Sequence, residues 1–118
     1  MRKELIPEET YTFAELDREY QGEIVGNLGR KVAPKTVWKF VPDFEVGYAA
    51  ALADDTAIQI FDDDIEAMIE AIKHQGKVTR PILIDELDED RVWMEGRHRS
   101  LASQEMGLKT IPVLYRVE

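Results

Sequence analysis

The densest chemistry in the chain lies in six consecutive residues, Glu95-Gly96-Arg97-His98-Arg99-Ser100. They stand where a short apolar run gives way to a stretch of helix-forming composition ending at Met106-Gly107. The first turn of a helix presents backbone N–H groups with no intrahelical partner, together with the positive end of the macrodipole. Glycine allows a tight turn and close approach by a ligand. Arg97, His98 and Arg99 add cationic or donor groups, and Ser100 adds a hydroxyl. This is the donor set of an anion site, and phosphate is the natural anion. Basic side chains are also electrostatically misplaced in a first turn, where acids are favoured, so something anionic must compensate. Two compensations are open. One is a bound phosphate. The other is ion pairing of Arg97 and Arg99 with Glu95, Glu105 or the acids at 85–90.

Other polar residues have simpler readings beside their functional ones. Arg80 precedes the strand proline Pro81 and faces the basic motif from the sheet edge, where it would touch a phosphate or base, or form a surface ion pair. Asp62-Asp63-Asp64 with Glu66 has the oxygen ligands that magnesium or calcium prefers. It lacks the longer alternating pattern and glycine of a calcium loop, and helix capping accounts for these acids. His74 suits a helix C-terminus. Trp38 and Trp93 read as core or edge anchors, and Met68, Met94 and Met106 as core filling. No catalytic base and no metal site stands out.

The elements that must position the motif follow from periodicity. Ile65, Met68, Ile69 and Ile72 give one apolar face, and Gly76 lies where a left-handed C-cap needs glycine. Pro81-Ile82-Leu83-Ile84 reads as a buried strand, 85–90 as a solvated turn, and Arg91–Glu95 as the returning strand. Gly96 breaks it, and a helix from about Arg97 to Met106 follows. Ile111, Val113, Tyr115 and Val117 alternate as in a final strand, with Pro112 marking an edge or an entry point. The fold class is α+β, a small mixed β-sheet flanked by helices.

The N-terminal half is less regular. Thr12-Phe13-Ala14-Glu15 has the capping-box pattern. Phe13, Leu16, Tyr20 and Ile24 continue it at helical spacing until Gly26, Asn27 and Gly29. Thr36–Val41 reads as a strand bounded by Pro34 and Pro42, Gly47–Ala53 as one or two helical turns, and Ile58–Ile60 as a short strand or extended connector. The loose Pro and Gly cluster between 22 and 47 suggests a mobile arm or an insertion. The whole of 1–118 is one domain, with a recognisable core at 62–117 and a divergent extension at 1–61.

Composition bounds the function. The 118 residues carry 15 Lys plus Arg against 24 Asp plus Glu, a formal charge of −9. The acid is spread evenly, at −4 before residue 61 and −5 from there on. A free-standing, non-specific nucleic-acid binder needs a net basic face, which this chain lacks. With no cysteine, disulfides, thiolate zinc sites and cysteine nucleophiles are excluded. No apolar run approaches the ~20 residues of a membrane span, and no signal core follows Met1-Arg2-Lys3-Glu4. A cytoplasmic protein with no membrane association is expected.

The segment from Ile65 to Val117 resembles the ParB/sulfiredoxin superfamily. The resemblance rests on an ordered set of pieces. They are Ile65 to Gly76, Arg80-Pro81-Ile82-Leu83-Ile84, Val92 to Glu95, Gly96-Arg97-His98-Arg99, Ser100 to Met106, Gly107-Leu108, and Ile111-Pro112-Val113. It implies a nucleotide site in which the glycine-led motif holds phosphates of ATP or CTP, often with Mg2+. Carried over by position, Gly96, His98 and Arg99 are phosphate contacts and Ser100 a weaker one. Arg97 departs from both main patterns. Partition-type members read Gly-Glu-Arg-Arg, and sulfiredoxins read Gly-Cys-His-Arg, so their redox chemistry is excluded here. No Asn-Pro-x-Gln-Pro-Arg motif and no helix-turn-helix segment accompanies the motif, which argues against chromosome partition and fits a small phage or mobile-element member.

Three functions compete. The first is nucleotide binding through Gly96, Arg97, His98, Arg99, Ser100 and Arg80, with ATP-dependent phosphoryl transfer or hydrolysis as an extension. The second is an acidic protein-interaction regulator or inhibitor with a degenerate nucleotide site. The third is a ParB-like DNA-processing accessory or nuclease, which the net charge disfavours.

Overall fold

A computed structural model describes residues 5–28, 34–54, 61–78, 80–86 and 93–118. The elements are β1 (Thr10–Thr12), a 3-10 turn (Phe13–Glu15), α1 (Arg18–Leu28), β2 (Val37–Glu45) and α2 (Val46–Asp54). They continue with α3 (Asp62–Gln75), β3 (Ile82–Asp85), β4 (Trp93–Glu95), α4 (Arg97–Glu105) and β5 (Thr110–Arg116). The strands form one mixed sheet in the order β1-β2-β5-β3-β4, with only β3 and β5 parallel. The fold is therefore α+β. No helix among the described residues is long and apolar enough to cross a membrane.

Both faces of the sheet are covered. On one, Ile82, Ile84, Met94, Ile111 and Val113 pack with Val46, Ala49 and Ala53 of α2. On the other, Trp38, Leu83 and Leu114 pack with Leu16, Tyr20 and Ile24. Helix α3 lies further out, its Ile65 and Ile72 closing over Ala102 of α4. Successive strand residues point to opposite faces. That is why Val113 and Leu114 are both buried, each in a different layer.

The α3 to β5 half follows the periodicity. Helix α3 carries Asp62, Asp63 and Asp64 in its first turn and ends at Gly76, in the left-handed region at φ 82°. Four expectations elsewhere need correction. The capping box forms, with Glu15 N–H donating to Thr12 Oγ1 at 3.3 Å and Thr12 N–H to Glu15 Oε1 at 2.9 Å. It closes only the 3-10 turn, because Leu16 turns extended. The Gln21 amide then donates to the carbonyls of Phe13 and Leu16, both at 2.9 Å, and fixes that break. Helix α1 starts at Arg18 and runs through Gly26, whose Cβ position faces open space.

The second correction concerns the prolines. Strand β2 does not stop at Pro42 but continues to Glu45. Strand β5 is the central strand and not an edge, although it contains Pro112. The register explains both. Val41 pairs with Val113 and Phe44 with Ile111, so Pro42 and Asp43 together oppose Pro112 alone. This is a β-bulge, where ladder bonds are already interrupted and a missing N–H leaves no donor unmet. On its other side, β5 is paired only from Val113 onward.

The third is that the loose 22–47 stretch is no mobile arm where it is described: α1 holds its start and the expected strand, as β2, its end, with Trp38 fully buried, and residues 29–33 lie outside the described residues. The fourth is that Asp85 does not open a solvated turn. It is the buried last residue of β3 and pairs with Arg116 at 2.9 Å. Residues 87–90, the connector at 58–60, and Arg91 and Val92 lie outside the described residues.

Candidate functional site

The motif sits where β4 hands the chain to α4. Its placement begins with Gly96, the N-cap of α4, in the left-handed region at φ 108° and ψ 31°. A side chain there would be strained by the backbone alone. It would also collide, because a Cβ would lie 2.5 Å from Ile82 Cδ1 and 3.0 Å from an Arg99 guanidinium nitrogen. Glycine therefore satisfies two demands at once: the sharp turn out of β4 and the approach of β3 and Arg99 beneath it.

A glycine N-cap brings no side chain to the orphan donors, and α4 makes no side-chain cap bond. No acid stands in its first turn either; that turn is Arg97, His98, Arg99. The positive helix end thus lacks the cap side chain and the first-turn acid that usually occupy it. Over it opens a recess of about 130 Å³, lined by Met68, Met94, Glu95, Gly96, Arg97, His98 and Arg99.

The basic residues divide into three roles. Arg99 folds back. One guanidinium nitrogen donates to Glu95 Oε2 at 2.7 Å, and the other donates to the carbonyls of Arg80 and Pro81. Its side chain is only 12 % exposed. A guanidinium carries five donors in a rigid fork, and here the fork ties the β4 end, the α4 start and the β3 entrance together. His98 faces α3, with its Nε2 3.9 Å from Asp64 Oδ2 and the ring partly exposed. Arg97 lines the recess and forms no ion pair with a described residue. Ser100 is fully buried, and its hydroxyl donates back to the Gly96 carbonyl at 3.0 Å. That bond stiffens the turn and points the hydroxyl away from solvent. Arg80 is half-exposed and ion-paired with Glu23 of α1.

Of the two compensations open at the sequence level, ion pairing is realised at Arg99, through Glu95. Arg80 is met by Glu23, His98 lies near Asp64, and Arg97 lines the recess. Sequence reading had missed two acids, Glu23 and Asp64. Nothing local marks Glu23, which reaches Arg80 only because α1 packs over the far sheet face. Asp64 was visible as a helix-start acid, but its meeting with His98 depends on α3 lying against α4.

The model of a known family, the ParB N-terminal domain, matches residues 53–117. The match covers α3 through β5 and so includes the whole Gly96 turn. No curated protein and no solved structure matches the chain.

Proposed function

Because the chain belongs to the ParB N-terminal domain family, we propose that it binds the phosphate of a nucleotide, ATP or CTP, at the Gly96 turn. The carrying observation is the bare helix start: α4 has no cap bond and no first-turn acid, and a recess lined by Arg97 and His98 opens over it. Helix N–H groups, a guanidinium and an imidazole converging on one small space favour an anion. The volume sets the scale. Pockets that enclose a whole drug-sized ligand are roughly 300–1,000 Å³, so 130 Å³ accepts a phosphate group while sugar and base rest outside it.

Roles follow from the geometry. Arg97, His98 and the first-turn backbone contact the phosphate. Gly96 clears the approach. Arg99 is a positioning residue, held by Glu95 and two carbonyls, and Ser100 fixes the turn. Arg80, with Glu23, borders the site without entering it. A divalent ion carried by the nucleotide would ease the repulsion between its phosphates and Asp64. Transfer or hydrolysis needs, in addition, a group that positions the acceptor. Glu95, the carboxylate in the recess, is already engaged by Arg99, so the proposal is binding rather than catalysis.

Titration with CTP, ATP and inorganic phosphate, with and without magnesium, tests this. Wild type binds saturably, and Arg97→Ala weakens binding by about tenfold, the loss of roughly one charge-assisted hydrogen bond, with an unchanged melting temperature. Arg99→Ala instead lowers the melting temperature. Folded wild type that ignores millimolar nucleotide, or an Arg97→Ala/His98→Ala double variant that binds as wild type does, rejects the reading.

A further inference from the structure

On the α2 face of the sheet, with a lining that shares no residue with the recess at the Gly96 turn, three aromatic rings surround a second recess. Phe44 ends the bulged part of β2, Tyr48 lies in the first turn of α2, and Tyr115 lies on β5. Phe44 and Tyr115 are stacked, with ring centroids 5.9 Å apart and an interplanar angle of 26°. Phe44 and Tyr48 meet edge to face at 5.7 Å. With Glu45 they line a cavity of about 280 Å³ that opens to solvent. Tyr48 remains 47 % exposed, so its ring is accessible from solvent.

The recess is also fixed electrostatically. Both phenols point at one carboxylate. Tyr48 donates to Glu86 at 2.7 Å, and Tyr115 donates to Glu86 Oε2. Two hydroxyl donors hold this carboxylate beside the rings, and Glu45 adds a second acid at the rim. No lysine or arginine ion pair with Glu45 or Glu86 occurs among the described residues. Ring faces carry negative potential, and carboxylates reinforce it. Together they form a receptor for an organic cation.

We infer that the Phe44–Tyr48–Tyr115 recess, with Glu45 and Glu86, receives a lysine or arginine side chain from a partner protein. The cavity has room for one long basic side chain. It is open at the surface rather than enclosed, as suits a group projecting from another chain. The net charge of −9 draws basic protein surfaces toward it. The bulge at Pro42-Asp43 gives the recess its shape, because it carries Phe44 out of regular register and brings it beside Tyr115.

The test is a peptide titration followed by NMR of the full chain. The probes are an arginine-bearing peptide, its lysine counterpart and a citrulline analogue that keeps the shape without the charge. The cationic peptides shift the Phe44, Tyr48 and Tyr115 ring resonances saturably, and the citrulline peptide does not. Tyr48→Ala weakens binding by about tenfold and Glu45→Gln by about threefold. Both substitutions are at exposed positions, and an unchanged melting curve confirms that each variant is folded. Equal shifts from citrulline, shifts confined to other surfaces, or none at millimolar peptide overturn the inference. Concentration-dependent ring shifts without peptide would mean that a second copy occupies the recess, which also overturns it.

Discussion

Glu86 has its clearest consequence in alkali. Burial first, and then its bond to Glu86, push the Tyr115 phenol well above the ordinary tyrosine value of 10.0. Tyr48 is raised too, chiefly by its hydrogen bond to the same carboxylate. The folded protein therefore holds these protons more tightly than the unfolded chain does. The stability so gained is complete below pH ~10 and is lost as pH rises through the folded-state values. A tyrosinate absorbance titration checks this: Tyr48 and Tyr115 ionise late, and Glu86→Gln brings them down. Their ionising at the ordinary tyrosine value in folded protein would contradict it. The same residue scale shows what sequence could reveal. The Gly96–Ser100 stretch reads in the sequence as a candidate anion site with two possible compensations. Which arginine took which could not be read, because the Glu95–Arg99 spacing of four spans a glycine turn rather than a helix. Tyr48, Glu86 and Tyr115 meet from three separate segments, and no local pattern joins them.

Elements were legible wherever one apolar period ran unbroken, as in α3, and illegible where a tertiary contact overruled a local signal. Pro42 and Pro112 each read as a strand limit. Only their meeting at one bulge makes them compatible with a central ladder. The capping box at Thr12 was correctly seen, but Gln21 ended its turn from outside the window. Between α2 and α4 the contact is made by small residues, Ala49, Ala50 and Ala53 facing a helix whose Ser100, Ala102 and Ser103 are buried. Within it, the Ser103 hydroxyl has no hydrogen-bond partner among the described residues. A buried hydroxyl without a partner opposes folding, and alanine is the better helix former. Ser103→Ala should therefore raise stability by up to about 1 kcal/mol, as read from a denaturant melt; a loss of that size would show that the hydroxyl is bonded.

At the scale of the molecule, the acidic excess and the small basic recess respond to salt in opposite directions. Screening relieves self-repulsion among the carboxylates and also weakens attraction at Arg97 and His98. Raising ionic strength should increase the melting temperature while loosening the proposed nucleotide binding, and parallel melts and titrations across a salt series will show whether the two trends diverge. The topology has a separate consequence in time. The sheet is two strand pairs, β1-β2 and β3-β4, joined only through β5, and β5 follows all of them in the chain. A ribosome thus releases both halves before the strand that unites them. Until Thr110–Arg116 emerges, no strand hydrogen-bonds the two pairs, and the halves can meet only through α1 and the α2–α4 contact. The long-range pairings must then close together in one late step, so a nascent chain stalled before Thr110 would need a chaperone's cover.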